Sequence, residues 1–69
     1  MSNHVYGLNE IVGSSTTSID DAIRTAIQKA SRTIRHVEWF EVSEMRGHVA
    51  DGVVAHFQVK LKVGFRIED

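Results

Sequence analysis

The segment from residue 53 to residue 67 alternates almost without fault between apolar and polar side chains. Such alternation over so long a run is that of an extended β-strand with two different faces. Asp51-Gly52 comes just before it and is typical of a type I′ turn. The sequence therefore predicts a long hairpin with strands over residues 37–49 and 53–68. The apolar positions of its second strand are Val53, Ala55, Phe57, Val59, Leu61, Val63, Phe65 and Ile67.

A helix is predicted over residues 18–36. Ser18 suits its N-cap, and Asp21 resembles the acidic partner of a capping box. Before the helix, residues 4–12 have strand propensity and residues 13–17 form turns. The prediction is one α+β domain over residues 1–69, with β-α-β-β order and the helix across one face of a three-stranded sheet. The apolar helical stripe consists of Ile19, Ala22, Ile23, Ala26, Ile27, Ala30 and Ile34.

The core of this chain is small. At 69 residues, a single core supplies only about 3–5 kcal/mol, and without cysteine no disulfide adds to it. The four histidines lack the HxxxH or CxxC spacing of a structural metal site, so none is predicted. A helix of about 27 Å cannot cover strands of about 43 Å, so Phe57, Val59 and the turn end are left bare. We expect other copies of the chain to cover them.

The formal net charge of −1 provides no long-range attraction to nucleic acid or to a membrane surface. No apolar run approaches the roughly 18 residues of a membrane span, and the N-terminus lacks the apolar stretch of a signal peptide. A cytoplasmic protein is therefore expected.

The second face of the hairpin is neither apolar nor simply solvated. In EWFEV, residues 38–42, Phe40 and Val42 are expected to face the helix while Trp39 points the other way. A two-residue turn without a bulge would fix the register of this face, whereas a bulge near residues 43–46 would shift it. That register pairs Trp39 with Gly64, Ser43 with Lys60, Glu44 with Val59, Met45 with Gln58, and Arg46 with Phe57.

Trp39 has three interpretations on pattern alone. It could shield Gly64, anchor a subunit interface or provide a stacking platform for a flat ligand. Gln58 is either a solvated side chain or an amide that pairs with the edge of a heterocycle. Arg46 is either a surface charge or a contact for a phosphate or carbonyl group. No nucleophile and base share a recognisable spacing, so an enzyme is not predicted.

Several motifs in this order resemble the dodecins: NEIVGSS at residues 9–15, VEWFEVSEMRG at 37–47 and DGVVAHFQVKLKVGF at 51–65. The resemblance covers nearly the whole chain. It implies an antiparallel sheet wrapped around the helix, and assembly into a hollow dodecamer. It further implies a non-enzymatic protein that stores flavin in pairs between subunits, stacks the isoalloxazine rings between tryptophans and quenches their photochemistry.

The resemblance also implies roles for individual residues. Trp39 matches the stacking tryptophan, and Gln58 matches the glutamine that pairs with the polar edge of the ring. Arg46 matches the arginine near the ligand in bacterial members, and Glu38 is expected to contribute through its backbone. The bacterial branch makes FMN the expected flavin, with riboflavin or FAD as the other options.

Two alternatives accompany this expectation. The protein could be a structural shell in which Trp39 is an interface anchor, or a flavin enzyme in which His56 or Glu41 moves protons. Some bacterial dodecins also bind coenzyme A, for which Tyr6 and Arg66 are the candidates here. Residues 7–9, Gly-Leu-Asn, depart from the more apolar strand with a basic residue that is usual in the family.

Overall fold

The computed structural model describes residues 3–68, which form one helix and three strands. In chain order these are β1 (Tyr6–Ser15), α1 (Ile19–Thr33), β2 (Val37–Ala50) and β3 (Val53–Arg66). β3 lies in the centre of the sheet and pairs antiparallel with both β1 and β2. The predicted β-α-β-β order and three-stranded antiparallel sheet are confirmed.

The turn of the hairpin forms at the predicted dipeptide. Asp51 and Gly52 have φ angles of 53° and 75°, both in the left-handed region that a type I′ turn requires. β2 therefore ends at Ala50 and β3 begins at Val53, within a residue of the predicted bounds.

Two predicted boundaries are wrong by three residues each, and the start of β1 and the end of β3 each differ by two. β1 continues through Ser15, so residues 13–15 are strand and not turn, because β3 offers them partners as far as Phe57. The helix ends at Thr33 and not at residue 36: Ile34 is already extended, and His36 has a φ of 63°. The left-handed His36 redirects the chain into β2.

The helix N-terminus is capped by Ser18, as predicted. Its Oγ accepts a hydrogen bond from the backbone N–H of Asp21 at 3.0 Å. The Asp21 carboxylate does not complete a capping box and instead accepts from the Ser15 hydroxyl at 2.6 Å. Ser15 Oγ in turn accepts from the Thr17 N–H at 2.9 Å. These bonds join the end of β1 directly to the start of α1.

The core consists of small residues on the helix and branched residues on the central strand. The alanines of the predicted stripe are its buried members, while Ile19, Ile23 and Ile27 flank them. The short alanine side chains let the helix lie close to the sheet. Buried in this core are Ala22, Ala26, Ala30, Val59, Leu61 and Val63.

The helix packs mainly on β1 and β3 and covers β2 incompletely. Phe40 and Val42 remain 47% and 37% exposed, so the expectation that the helix buries them is wrong. β1 pairs with β3 along its whole length, which places β3 at the centre and β2 at an edge. The single helix then lies over β1 and β3.

The hairpin extends well beyond the helix, as predicted. Each of its strands has 14 residues, which span about 46 Å, whereas the 15-residue helix spans about 22 Å. We call residues 48–50 and 53–56, which lie past the end of β1, the overhang. Val59 is fully buried and does not belong to it, contrary to expectation, because the first turn of α1 reaches the core from Ile19.

The overhang and its base leave apolar surface bare. Met45 and Val49 are 64% and 70% exposed. Together with Ile19, Val54 and Phe57 they line an open apolar groove on the helix side of the sheet.

Within residues 3–68, the one helix is too short and too polar to cross a membrane.

Replacing Gly13 with alanine should destabilise the fold. Gly13 lies under the helix, where an added Cβ would overlap the Ala22 carbonyl oxygen and approach the Ala26 Cβ to 2.9 Å. Overpacking of this kind costs about 1–3 kcal/mol. Urea denaturation followed by circular dichroism should show this loss.

Gly47→Ala is the matched control for this substitution. Gly47 is also a strand glycine, but a Cβ there would meet its nearest heavy atom, the His56 carbonyl oxygen, only at 3.4 Å. Equal stability of the Gly13→Ala and Gly47→Ala variants would contradict the close helix–sheet approach described here.

Candidate functional site

The face of the sheet that lies away from the helix carries rows of side chains across the three strands. We call it the open face. Directly paired residues of antiparallel strands point to the same side, so each row is given by the strand register. From the chain termini toward the turn, the rows are Leu8–Gly64–Trp39, Glu10–Lys62–Glu41, Val12–Lys60–Glu44, Ser14–Gln58–Arg46 and, beyond β1, His56–His48.

A β-bulge at Ser43 determines which side chains of β2 reach this face. The Trp39–Gly64 pairing is confirmed, but the register shifts by one residue between Val42 and Glu44. The four pairings predicted for residues 43–46 are therefore wrong, since a bulge inserts one unpaired residue. The observed pairs are Glu44–Lys60, Met45–Val59 and Arg46–Gln58.

The sequence contains a signal for this bulge. Apolar residues occupy even positions at Phe40 and Val42 and odd positions at Met45 and Val49. A change of parity within one strand indicates an inserted residue between the two sets. As a result Met45 turns to the helix side, and Arg46 comes to lie directly opposite Gln58 on the open face.

The Trp39 indole lies directly over Gly64. A Cβ built on Gly64 would overlap the six-membered ring of the indole, so only glycine admits the ring at this distance. The Tyr6 ring meets the indole edge-on, with centroids 6.4 Å apart and planes at 63°. Trp39 is nevertheless 41% exposed. The first interpretation, cover for Gly64, is correct for the single chain, and the remaining indole surface is accessible to a partner.

Charged side chains lie beside this tryptophan. The Glu38 carboxylate is 3.8 Å from the Arg66 guanidinium. A register shift between Val37 and Trp39 places Glu38 in a second irregularity of β2. Arg66 is also the cross-strand partner of Tyr6. We call this group the tryptophan end; its members are Tyr6, Glu38, Trp39, Gly64 and Arg66.

A second group forms around Gln58. Gln58 is half-buried on the central strand, between Ser14 of β1 and Arg46 of β2. The Arg46 guanidinium is exposed and contacts the Glu44 carboxylate on the same face. We call Gln58 and Arg46 the glutamine end. Its amide and guanidinium can together offer donors and one acceptor to a polar ligand edge.

The two ends are too far apart to share one ligand within a single chain. Gly64 and Gln58 are six residues apart on β3, which corresponds to about 20 Å. Between them lie rows of lysine and glutamate, in which Lys60 Nζ is 3.9 Å from Glu10 Oε2. The structure thus brings Trp39 together with Glu38, and Arg46 together with Gln58, but it separates the two pairs.

The connection between α1 and β2 forms a further charged cluster with Glu68, near the C-terminus. His36 Nε2 lies 2.8 Å from Glu68 Oε2, and Arg35 Nη1 lies 3.9 Å from Glu68 Oε1. The close approach of the His36 side chain, followed by the positive charge of Arg35, lowers the pKa of Glu68. Arg66, the last residue of β3, donates its backbone N–H to the His36 carbonyl at 3.0 Å.

The fold and the open face define a small β-α-β-β binding protein with an aromatic platform. The family model for dodecins matches residues 5–68 of the chain. The chain belongs to the dodecin family, as its motifs indicated.

Individual relatives agree with this assignment. A curated dodecin of Thermus thermophilus is 45% identical over 65 residues, covering 94% of each chain. The solved structure of the Streptomyces coelicolor dodecin superposes with a TM-score of 0.93 at 52% identity, covering 100% of this chain and 99% of that one. The Streptomyces davaonensis dodecin gives 0.93 at 50% identity, with 99% and 100% coverage.

Replacing Gly64 with alanine should displace the indole. The new methyl group would occupy the position of the Trp39 ring, and such overpacking costs about 1–3 kcal/mol. Because Trp39 is the single tryptophan of the chain, its fluorescence reports the movement directly, and we expect a shift of its emission to longer wavelength.

Gly47→Ala again provides the comparison, because it adds the same methyl group to the hairpin away from the indole. If Gly64→Ala, like Gly47→Ala, leaves the emission maximum and the stability unchanged, the close packing of Trp39 on Gly64 is incorrect.

Proposed function

We propose that the protein binds and stores flavin, principally FMN, by stacking isoalloxazine rings on Trp39. One observation carries the proposal: an indole is held flat against a glycine, with 41% of the residue exposed, in a chain of the dodecin family. A rigid indole gains about 0.5–1.5 kcal/mol from stacking beyond the burial of its surface. Riboflavin and FAD carry the same ring system and are the other flavins to be tested.

The other three site residues have distinct roles in this proposal. The Gln58 amide pairs with the polar edge of the ring, where it both donates and accepts. Arg46, directly across the ladder from Gln58, contacts a ring carbonyl or the phosphate of FMN with charge-assisted hydrogen bonds. Glu38 contributes its backbone next to the stacked ring, while its carboxylate holds Arg66.

The flavin site is composite in this proposal. The separation of about 20 Å along β3 between the rows of Trp39 and Gln58 exceeds the length of a three-ring system, so a flavin that contacts both must lie between copies. We propose a hollow homododecamer as the assembly that supplies them. A twofold axis would set two Trp39 residues face to face around a pair of rings. The apolar groove around Met45, Val49 and Phe57 gives the copies a surface to bury.

Storage and photoprotection suit this site better than catalysis. An indole in van der Waals contact with an excited flavin can donate an electron to it before the flavin reacts, and charge recombination then returns both to the ground state. His56 and Glu41 were the candidates for an enzyme. His56 stacks on His48, and Glu41 lies opposite Lys62 in the rows between the two ends. We therefore propose a binding protein that is not an enzyme.

Coenzyme A binding is a narrower proposal. Tyr6 and Arg66 are paired across β1 and β3, and Arg66 offers a guanidinium to a phosphate once it releases Glu38. The edge contact between Tyr6 and Trp39 would link occupancy of this position to the flavin site.

We also propose that residues 1–69 act as one domain and that the protein is cytoplasmic.

Substitution of Trp39 should weaken flavin binding most. For Trp39→Ala we expect about a 5- to 150-fold loss of FMN affinity, since two stacks are worth roughly 1–3 kcal/mol. Trp39→Phe should retain part of it. Gln58→Leu should lose about three- to tenfold, the worth of one or two hydrogen bonds. Quenching of FMN fluorescence on titration with protein measures each affinity.

Glu41→Gln is the matched control for these variants, because it alters the open face between the two ends without touching either. Light scattering on each variant separates binding from assembly. An intact Trp39→Ala particle with unchanged FMN affinity would contradict flavin binding at this residue. Loss of assembly in Trp39→Ala, with or without flavin, would favour the alternative of a structural shell anchored by Trp39.

A further inference from the structure

His48 and His56 form a pair that the flavin site does not use. They are direct cross-strand partners on the open face, one row beyond Arg46 and Gln58. Their imidazole rings are stacked, with centroids 4.4 Å apart and planes 18° from parallel. Two aligned imidazoles at this separation present a pair of nitrogen donors on one surface.

The local backbone fixes this pair in place. A register shift lies immediately next to it, between His48 and Val49, and leaves Ala55 of β3 without a partner. Bulges redirect side chains, are common beside functional sites and pin the strand register. β1 ends opposite Phe57, so no third strand covers the pair, and it lies open at the base of the overhang.

We propose that His48 and His56 together bind a divalent transition-metal ion of the zinc type, each through one imidazole nitrogen. Imidazole is a ligand that suits Zn²⁺, Ni²⁺ and Cu²⁺, whereas Ca²⁺ and Mg²⁺ prefer oxygen. This proposal does not depend on flavin binding.

The spacing of the two side chains across the strands suits such an ion, although the rings must leave the stacked arrangement to bind it. Zinc binds imidazole nitrogen at about 2.0–2.1 Å in tetrahedral sites, which places two ligating nitrogens about 3.4 Å apart. The stacked rings, with centroids 4.4 Å apart, bring nitrogens within that range, and each side chain then rotates about its own torsions until the two ring planes meet at the ion.

The nearest cation on this face is directed away from the pair. The Arg46 guanidinium contacts Glu44, on the side of Arg46 opposite to His48 along the strand. Among residues 3–68, no group of three or more histidine, cysteine or acidic side chains is assembled to hold a metal. One chain therefore supplies two ligands, and water or a second copy completes the coordination.

The spacing of the histidines in the sequence did not predict this pair. Helical metal motifs place histidines four positions apart, whereas His48 and His56 are eight positions apart. The turn and its adjacent bulge bring them together. A metal ion held by both strands would stabilise the end of the hairpin, because an ion that binds only the folded chain shifts unfolding to a higher temperature.

Isothermal titration of the full assembly with Zn²⁺ tests the proposal. His48→Gln and His56→Gln should each reduce Zn²⁺ affinity at least about tenfold and abolish the zinc-dependent rise in melting temperature. His4→Gln removes an exposed histidine from outside the pair and should leave both unchanged. Diffraction at the zinc absorption edge, from crystals of the unsubstituted protein, should show an anomalous peak between the two rings.

The proposal is overturned if the unsubstituted protein binds no Zn²⁺, or if either His48→Gln or His56→Gln binds as tightly as it does. An equal loss from His4→Gln would also overturn it, since that pattern describes adventitious binding to surface histidines. The anomalous peak needs no substitution, so its absence from zinc-soaked crystals counts against the site even where a variant fails to assemble.

Discussion

The mismatch between one short helix and one long hairpin determines most of this structure. The 15-residue helix covers part of a sheet whose longest strands have 14 residues each. Its alanine stripe and Gly13 bring it close to the centre of the sheet, where Val59, Leu61 and Val63 are fully buried. The part of the hairpin that extends toward the turn, past these three residues, has no helix over it. The chain therefore has an apolar overhang on one side and a long open face on the other.

If the proposed function is right, the open face explains how so small a domain recognises a large flat ligand. A chain of this size has no room to enclose a three-ring system within its own core. It instead presents a platform at one end, where Trp39 rests on Gly64, and a polar pair at the other, where Arg46 faces Gln58. Neither end is a complete pocket. In the proposed function, copies of the chain that bury the overhang on the helix side complete the site on the open face.

Local patterns were sufficient to predict the elements but not their register. The Ile–Ala stripe, the Ser18 cap and the Asp51-Gly52 turn each act through nearest neighbours, and all three are confirmed. A bulge near residues 43–46 was left open by the sequence and is found at Ser43, whereas the bulge at Ala55 was not predicted. A strand pattern reports faces within each run and not the residue at which the runs change partner. The pairing of Arg46 with Gln58 follows from the Ser43 bulge, and that of His48 with His56 lies between the two bulges.

Other features depended on long-range packing. The end of β1 at Ser15 follows from the partners that β3 supplies, and the exposure of Phe40 follows from the choice of β1 and β3 as the strands beneath the helix. The choice among the three interpretations of Trp39 also needed the structure, because its contact with Gly64 joins residues 25 positions apart in sequence. The ligand itself came from the family resemblance. Geometry contributed the separation of the two ends, from which the composite site is proposed.

Co-assembly of two weakened variants tests the proposed composite site most directly. Trp39→Ala and Gln58→Leu chains would be unfolded, mixed in equal amounts and refolded together, and FMN binding compared with that of each variant refolded alone. If Trp39 and Gln58 reach one flavin from different copies, the mixture contains intact sites and binds more FMN than either variant. Mixing Trp39→Ala with the Trp39→Ala/Gln58→Leu double variant provides the baseline. Binding by the first mixture that does not exceed this baseline or the two separate variants would contradict a flavin site shared between chains.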